Sequence, residues 1–301
     1  MRLPAIMVAA ILMTVSANAS ELTGTLQKIK ETNRIVLGIQ EASVPFSYLD
    51  SDQKVIGYAV DICMKIVDAV KQELKLSNLK VETSPVTSSN RIPLMMNGTV
   101  DLVCSSTTNN AERQRQVAFT NSHFLSATRF AARKADNIAT IDALKGKPVV
   151  AISGSTNMVQ LTQASSTRNL GVAVLAAKDQ AEAFLMLETG RAAAYVLDDV
   201  QLAVAIARSK DPSAYIISEE AFSKAEPYGI MLRRDDAPFK TVADRATANL
   251  YRSPEIEVIY KKWFESPVPP NGLNFRNPMP KVLRDAFANP SDSADPASYE
   301  R

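Results

Sequence analysis

The chain has 301 residues, with 34 lysines and arginines against 32 aspartates and glutamates, one histidine, and a net charge of +2 at pH 7. That length exceeds one ordinary domain and suffices for two, each with its own core. The near-balance of charge, without any basic block, argues against a nucleic-acid surface, and a single histidine cannot build a histidine-rich metal site.

In chain order, Arg2, the apolar run Leu3 to Val15 and the small-residue triplet Ala17-Asn18-Ala19 read as a secretory signal cleaved after Ala19. About a dozen apolar residues cannot cross a hydrocarbon core that needs ~20, and no later segment is apolar enough to do so. No cysteine follows the run to accept a lipid. A free, exported protein without a lipid anchor is therefore expected. Arg34 to Ile39 reads as a strand leading into the loop Gln40 to Phe46. Val60, Cys63, Ile66, Val67 and Val70 recur at helical spacing, with Lys65, Asp68, Lys71 and Gln72 on the opposite face. Val81 to Val86 is a second strand, Ile92 to Asn97 a short helix closed by Gly98, and Val100 to Cys104 a third strand. Strand, helix and strand in this order predict an α/β unit with a mostly parallel sheet.

The pattern then restarts. Pro148 to Ile152 is a buried strand stopped by Ser153-Gly154-Ser155-Thr156, with a helix from Asn157 to Thr162 after it. Val172 to Leu175 is another strand, Gln180 to Thr189 a helix ended by Gly190, and Ala193 to Leu197 a strand that delivers Asp198-Asp199 at its carboxyl end. Glu226 to Leu232 is one more strand. Two helices, near Phe239 to Tyr251 and Pro254 to Phe264, complete the fold, and the tail from Pro267 is expected to wrap the surface or be partly disordered. Cys63 and Cys104 could pair in an oxidising compartment. Each lies in an apolar stretch, however, where a cysteine packs as a small hydrophobe, and packing without a bond is the expectation.

Two α/β lobes leave a crevice between them, and open α/β sheets bind ligands beyond the carboxyl ends of their strands. Ser105 to Asn110 opens a short helix carrying Arg113. Free amides, hydroxyls and a planar guanidinium suit a carboxylate held bidentately, although Ser and Thr before a helix are commonly just caps. Gly154-Ser155-Thr156 in the second lobe could close on the same anion. A nucleotide phosphate is a poor fit, because the long glycine-rich loop with its lysine is missing. Asp198 at a strand end can accept from an ammonium group, or can serve as a helix cap.

Several stretches carry a resemblance: Val44-Pro45-Phe46-Ser47-Tyr48, Thr87 to Leu94, Asn97-Gly98-Thr99, Cys104 to Gln114, Leu144 to Lys147 and Tyr260 to Phe264. They are similar to the periplasmic glutamate/aspartate-binding proteins of ABC importers, within family 3 of the type II solute-binding proteins. The similarity runs from about Leu26 to Phe287, and its Ser-Ser-Thr-Thr-Asn-Asn-x-Glu-Arg-Gln stretch is highly specific. The resemblance implies an α/β, two-lobed type II periplasmic binding protein fold, with two crossing strands near Phe124 to Arg129 and Ala225 to Tyr228. Residues 20–126 with 227–301 would form one lobe and 127–226 the other, after a signal peptide of residues 1–19. It also implies that Arg113, Ser106, Thr108 and Thr156 grip the α-carboxylate and its surroundings, that Asp198 takes the α-ammonium, and that Ser88 and Arg91 reach the ligand's side chain. A membrane permease would be the partner, the protein itself a monomer, and no cofactor is implied.

Two positions depart from that pattern. Gln40 replaces an arginine after the first strand, and Gln180 replaces a histidine at the start of a helix. A neutral amide can donate to a carboxylate or accept from a ligand amide, so glutamine and asparagine become credible ligands. Charge counting favours the acid, since Arg113 and Asp198 match an amino acid's own charges and leave Arg91 unpaired in a closed cleft. That argument fails if Arg91 turns outward or pairs with Glu41. A lyase built on the same fold is the rival class. His123, the single histidine, reads as a structural residue near the hinge, and no Gly-x-Ser-x-Gly elbow is present.

Overall fold

The structure is a computed structural model that describes residues 22–300. The expected export signal, residues 1–19, lies outside them. One sheet has the strand order Lys80–Pro85, Arg34–Ile39, Leu102–Cys104, Met231–Arg233, Val117–Phe119. Arg34–Ile39 pairs in parallel with both of its neighbours and is buried apart from Arg34. A strand covered on both faces reads as an unbroken apolar run. The second sheet has the order Ala173–Ala177, Pro148–Ile152, Ala194–Asp198, Thr128–Arg133, Tyr215–Ile217; its first three strands are parallel, and Thr128–Arg133 pairs antiparallel with both of its neighbours. Phe124–Ser126 and Glu226–Tyr228 pair antiparallel and carry the chain between the two sheets.

The helix Tyr58–Leu74 turns Ile62, Cys63, Ile66, Val67, Val70 and Leu74 onto the first sheet, and it begins two residues before the predicted start. It follows Gly57, whose φ is 145°. A Cβ there would stand 2.2 Å from the Phe46 carbonyl oxygen, so only glycine lets the chain enter the helix this close to the binding loop.

Three expectations are corrected. Cys63 and Cys104 form a disulfide, with Cα atoms 6.0 Å apart, instead of packing unbonded. Their surroundings are apolar as expected, but the helix lies flat on the strand end and turns both fully buried thiols toward each other. The run Glu226 to Leu232 is not one strand. It splits at Gly229-Ile230, because Gly229 N–H donates to the Thr107 carbonyl and Ile230 N–H to Thr120 Oγ1, and the chain changes sheets there. The tail is also more regular than its composition suggests. Lys281–Ala288 is helical, and the segment after it docks on the first lobe through Ser122 N–H to the Ser291 carbonyl and Ser122 Oγ with the Tyr299 hydroxyl at 2.7 Å.

Two further helices were not foreseen. Gly24–Thr32 buries little besides Leu26 and Ile29. Asp199–Ala207 is apolar nearly all round because Val200 and Val204 face the first lobe while Leu202 enters the core of the second. Among the described residues, no helix is long and apolar enough to cross a membrane.

Candidate functional site

The strand Leu102–Cys104 ends in Ser105 to Asn110, and the helix Ala111–Gln114 follows. Asn110 is the residue that caps this helix, accepting from Arg113 N–H at 2.9 Å. The hydroxyls of Ser106, Thr107 and Thr108 are therefore not consumed as caps. Arg113 is 6% exposed; Nη1 donates to the Thr108 carbonyl at 2.8 Å and Nη2 reaches the Gly154 carbonyl of the other lobe at 3.4 Å. Arg91, at the start of Arg91–Met96, is 3% exposed and donates from Nη1 to Thr107 Oγ1 at 3.0 Å, while its Nε has no partner. Neither escape considered for Arg91 is taken, since it points inward and Glu41 is exposed. Among the described residues, neither arginine forms an ion pair. Burial pushes both guanidinium groups below their ordinary pKa, and for Arg91 the nearby Arg113 acts in the same direction.

In the second lobe Ser155 caps the helix Thr156–Thr167, accepting from Met158 N–H at 3.1 Å. That leaves Thr156 Oγ1 against Thr108 Oγ1 across the cleft, 3.2 Å away. Asp198 occupies the cap position of Asp199–Ala207 but makes no capping bond. Its carboxylate accepts from Thr128 Oγ1 at 3.2 Å, from Asn157 Nδ2 at 2.7 Å and from the Tyr228 hydroxyl. Burial pushes its pKa up and these donors oppose that rise. Two carboxylate oxygens offer about four lone-pair sites, so three donors leave room for one more.

At the other end Gln40 Nε2 lies 3.4 Å from Ser88 Oγ, and its Oε1 is buried without a partner. Gln180 Nε2 crosses the cleft to Ser43 Oγ at 3.3 Å, and Ser106 Oγ lies 3.1 Å from the same Ser43 Oγ. Except for Arg113, which is bonded to the Thr108 carbonyl, the residues expected to hold the ligand all line one cavity between the lobes. Glu226, half-buried near Arg113, accepts from Gln160 Nε2 at 2.8 Å.

Sequence reasoning missed Asn157, Tyr228, Ser43 and Gln201. For Gln201 a signal existed: it is the one amide in the apolar stretch Val200 to Ala207, and it is 2% exposed. The cavity lining thus holds the buried cation Arg91 and the buried anion Asp198, with the second buried cation, Arg113, next to it. His123, packed among Phe46, Tyr58 and Tyr228, is fully buried and its imidazole is pushed down to about 3 by that burial. Among the described residues, no cluster of three or more His, Cys, Asp and Glu side chains could hold a metal ion.

Residues 35–266 match the family described as bacterial extracellular solute-binding proteins, family 3. The L-glutamate/L-aspartate-binding protein of Pseudomonas aeruginosa is 46% identical over 288 residues, covering 95% of each chain. The glutamate/aspartate import solute-binding protein of Escherichia coli (strain K12) is 42% identical over 270 residues, covering 90% of this chain and 89% of its own. Among solved structures, an ancestral arginine-binding protein bound to arginine matches with a TM-score of 0.69 at 28% identity, over 77% of this chain and 98% of its own.

Proposed function

The chain belongs to family 3 of the bacterial extracellular solute-binding proteins, and we propose that within it the protein captures an acidic amino acid, glutamate or aspartate, in the interlobe cavity and presents it to the permease of an ABC importer. The observation that carries this reading is Arg91, a buried guanidinium with no carboxylate partner beside a second buried guanidinium. Arg91, Arg113 and Asp198 together leave one excess positive charge, and an acidic amino acid brings one net negative charge; the half-buried Glu226 also acts on Arg113 but is outside the cavity lining. A buried charge left unpaired is strongly destabilising, commonly by about 3–5 kcal/mol.

In this reading Arg113, Ser106, Thr108 and Thr156 hold the α-carboxylate and Asp198 uses its remaining lone pair for the α-ammonium. Arg91, Ser88, Gln40 and Gln180 meet the side chain. Residues 20–126 with 227–301 move as one lobe against 127–226, about the paired strands Phe124–Ser126 and Glu226–Tyr228. The mature protein, cleaved after Ala19, is a periplasmic monomer without a lipid anchor. It binds without turnover in this reading: the one histidine is walled off by aromatic rings, and the cleft carboxylate Asp198 is engaged by three donors. One observation favours a second ligand class, glutamine or asparagine, because the unpartnered Gln40 Oε1 would accept from an amide N–H.

Calorimetric titration of ligand-stripped mature protein with glutamate, aspartate, glutamine and asparagine tests the assignment. The acids should bind more tightly than the amides, and Arg91→Gln should reverse that order. Tighter amides in the unmodified protein would establish the second ligand class, and silence toward all four would end the capture reading.

A further inference from the structure

Three polar atoms close a triangle across the lobe boundary. Ser43 Oγ and Ser106 Oγ, both on the first lobe, lie 3.1 Å apart, and Gln201 Nε2 of the second lobe lies 2.9 Å from Ser43 Oγ and 3.1 Å from Ser106 Oγ. Gln180 Nε2 adds a further contact to Ser43 Oγ at 3.3 Å. The supply of protons fixes the direction of each bond. An amide nitrogen has two hydrogens to give, and a hydroxyl has one proton and two lone pairs.

Gln201 gives one hydrogen to each serine. Ser43 Oγ accepts from both glutamines, which fills its lone pairs, so its contact with Ser106 must be a donation. Ser106 Oγ then accepts twice, from Gln201 and from Ser43, and its own proton is the one left over. Ser106 lines the cavity, so that proton is available to a ligand. Turning the Gln201 amide over would place its carbonyl oxygen between the two hydroxyls. Each serine would spend its proton on that oxygen, and the Ser43–Ser106 contact would have none.

We infer that Gln201 is a positioning residue: through Ser43 it holds Ser106 as an obligate hydrogen-bond donor toward the cavity, so that Ser106 can grip a carboxylate oxygen but cannot accept from an ammonium or amide N–H. The same geometry makes the selection dependent on closure, because Gln201 lies on the second lobe and Ser43 and Ser106 on the first. Only the closed protein polarises the serine. The inference rests on the amino-acid capture reading and specifies how the carboxylate is told from other groups.

The test is a double-mutant cycle with glutamate as the titrant. Ser106→Ala and Gln201→Met are made singly and together, with melting temperatures of the ligand-free proteins measured alongside. Each single change should weaken binding by about 10-fold, the scale of one hydrogen bond to a charged group, while Gln201→Met in the Ser106→Ala background should change it by less than about 2-fold. Gln201→Glu should be at least as damaging as Gln201→Met, because a carboxylate accepts the Ser106 proton and turns it from the cavity. If Gln201→Met fails to fold, Ser43→Ala, which removes the other donor to Ser106, should show the same coupling. Equal losses from Gln201→Met in both backgrounds would mean a latch or a packing role and would overturn the inference, with glutamate capture by the unmodified protein left standing. Absence of glutamate binding by the unmodified protein would overturn both.

Discussion

Gly154 should separate closure from folding. It ends the strand Pro148–Ile152 with φ +75°, and in the closed arrangement a Cβ on it would stand 2.7 Å from Ser89 Cα and 2.9 Å from Ser89 N. Non-bonded carbons settle at about 3.5–4.0 Å, so Gly154→Ala requires the lobes to part there by roughly 1 Å. Ser89 cannot swing aside, since the nearest atoms are backbone. Parting would stretch the Ser89 Oγ bond to the Ser153 carbonyl (2.9 Å), the Thr108–Thr156 contact (3.2 Å) and the Arg113 bond to the Gly154 carbonyl (3.4 Å). At about 1 kcal/mol net for each the loss is near 3 kcal/mol, or about a hundredfold in Kd.

The left-handed φ adds a separate cost of about 1–2 kcal/mol for alanine, and this acts on folding whether or not the lobes meet. Gly154→Asn distinguishes the two effects, because asparagine tolerates the left-handed region yet still carries a Cβ. Titration calorimetry on both variants, with small-angle scattering to read closure, is the assay. Both should bind weakly and remain extended in saturating ligand, while Asn melts higher than Ala. Asparagine binding like the unmodified protein would assign the defect to backbone strain, and the argument for a steric stop against closure would fail.

The other expectations concern stability. His123 is held neutral by burial, its pKa pushed down from 6.5 to about 3. Between those values the unfolded chain binds a proton that the folded one refuses, so stability falls as pH drops through this window, by at most about 1.4 kcal/mol per pH unit. His123→Phe should flatten that part of the pH profile of urea unfolding; an unchanged slope would show that the imidazole can reach solvent. The Cys63–Cys104 bond closes a loop with a sequence separation of 41, for which chain entropy gives about 4 kcal/mol. Cys63→Ala with Cys104→Ala should therefore melt well below the oxidised protein, and equal melting temperatures would mean the thiols are unpaired in solution.

What the sequence made legible follows from how each segment is buried. Arg34–Ile39 and Pro148–Ile152 are covered on both faces, which leaves continuous β-branched runs, and Tyr58–Leu74 is covered on one, which leaves helical spacing. Asp199–Ala207 is wedged between lobes, so its apolar residues point in every direction and no period survives. The disulfide was hidden because nothing local reports how a helix registers on a strand. At the site, Asp198 announced itself by lying at a strand end, and Arg113 by its place in the helix that follows one. Asn157, Tyr228 and Gln201 act by meeting residues far away in the chain, Tyr228 and Asn157 on Asp198 and Gln201 on two serines of the other lobe.

The chemistry of the lobe boundary bears on how a ligand could drive closure. Many of the bonds that span the cleft, among them Ser89 to Ser153, Thr108 to Thr156 and the two glutamines to Ser43, join neutral groups, while Arg113 to the Gly154 carbonyl and Tyr228 to Asp198 each involve one charge. The one ion pair between the lobes, among the described residues, is the exposed Lys224–Glu300, and an exposed pair contributes about 0–1 kcal/mol. The buried charges that face the cleft are the cations Arg91 and Arg113 on the first lobe, opposed by Asp198, which is engaged with Thr128, Asn157 and Tyr228, and, at Arg113, by the half-buried Glu226. Closure over water therefore gains a few weak bonds and confines two cations, whereas closure over an acidic amino acid adds charge-assisted bonds of about 1.5–3 kcal/mol each. Moving an open–closed equilibrium from 1:99 to 99:1 takes about 5.5 kcal/mol of differential affinity. Two or three such bonds to Arg91, Arg113 and Asp198 reach that figure without any neutral contact being strengthened, so in this reading the charge mismatch keeps the empty cleft open and the ligand's own charges close it.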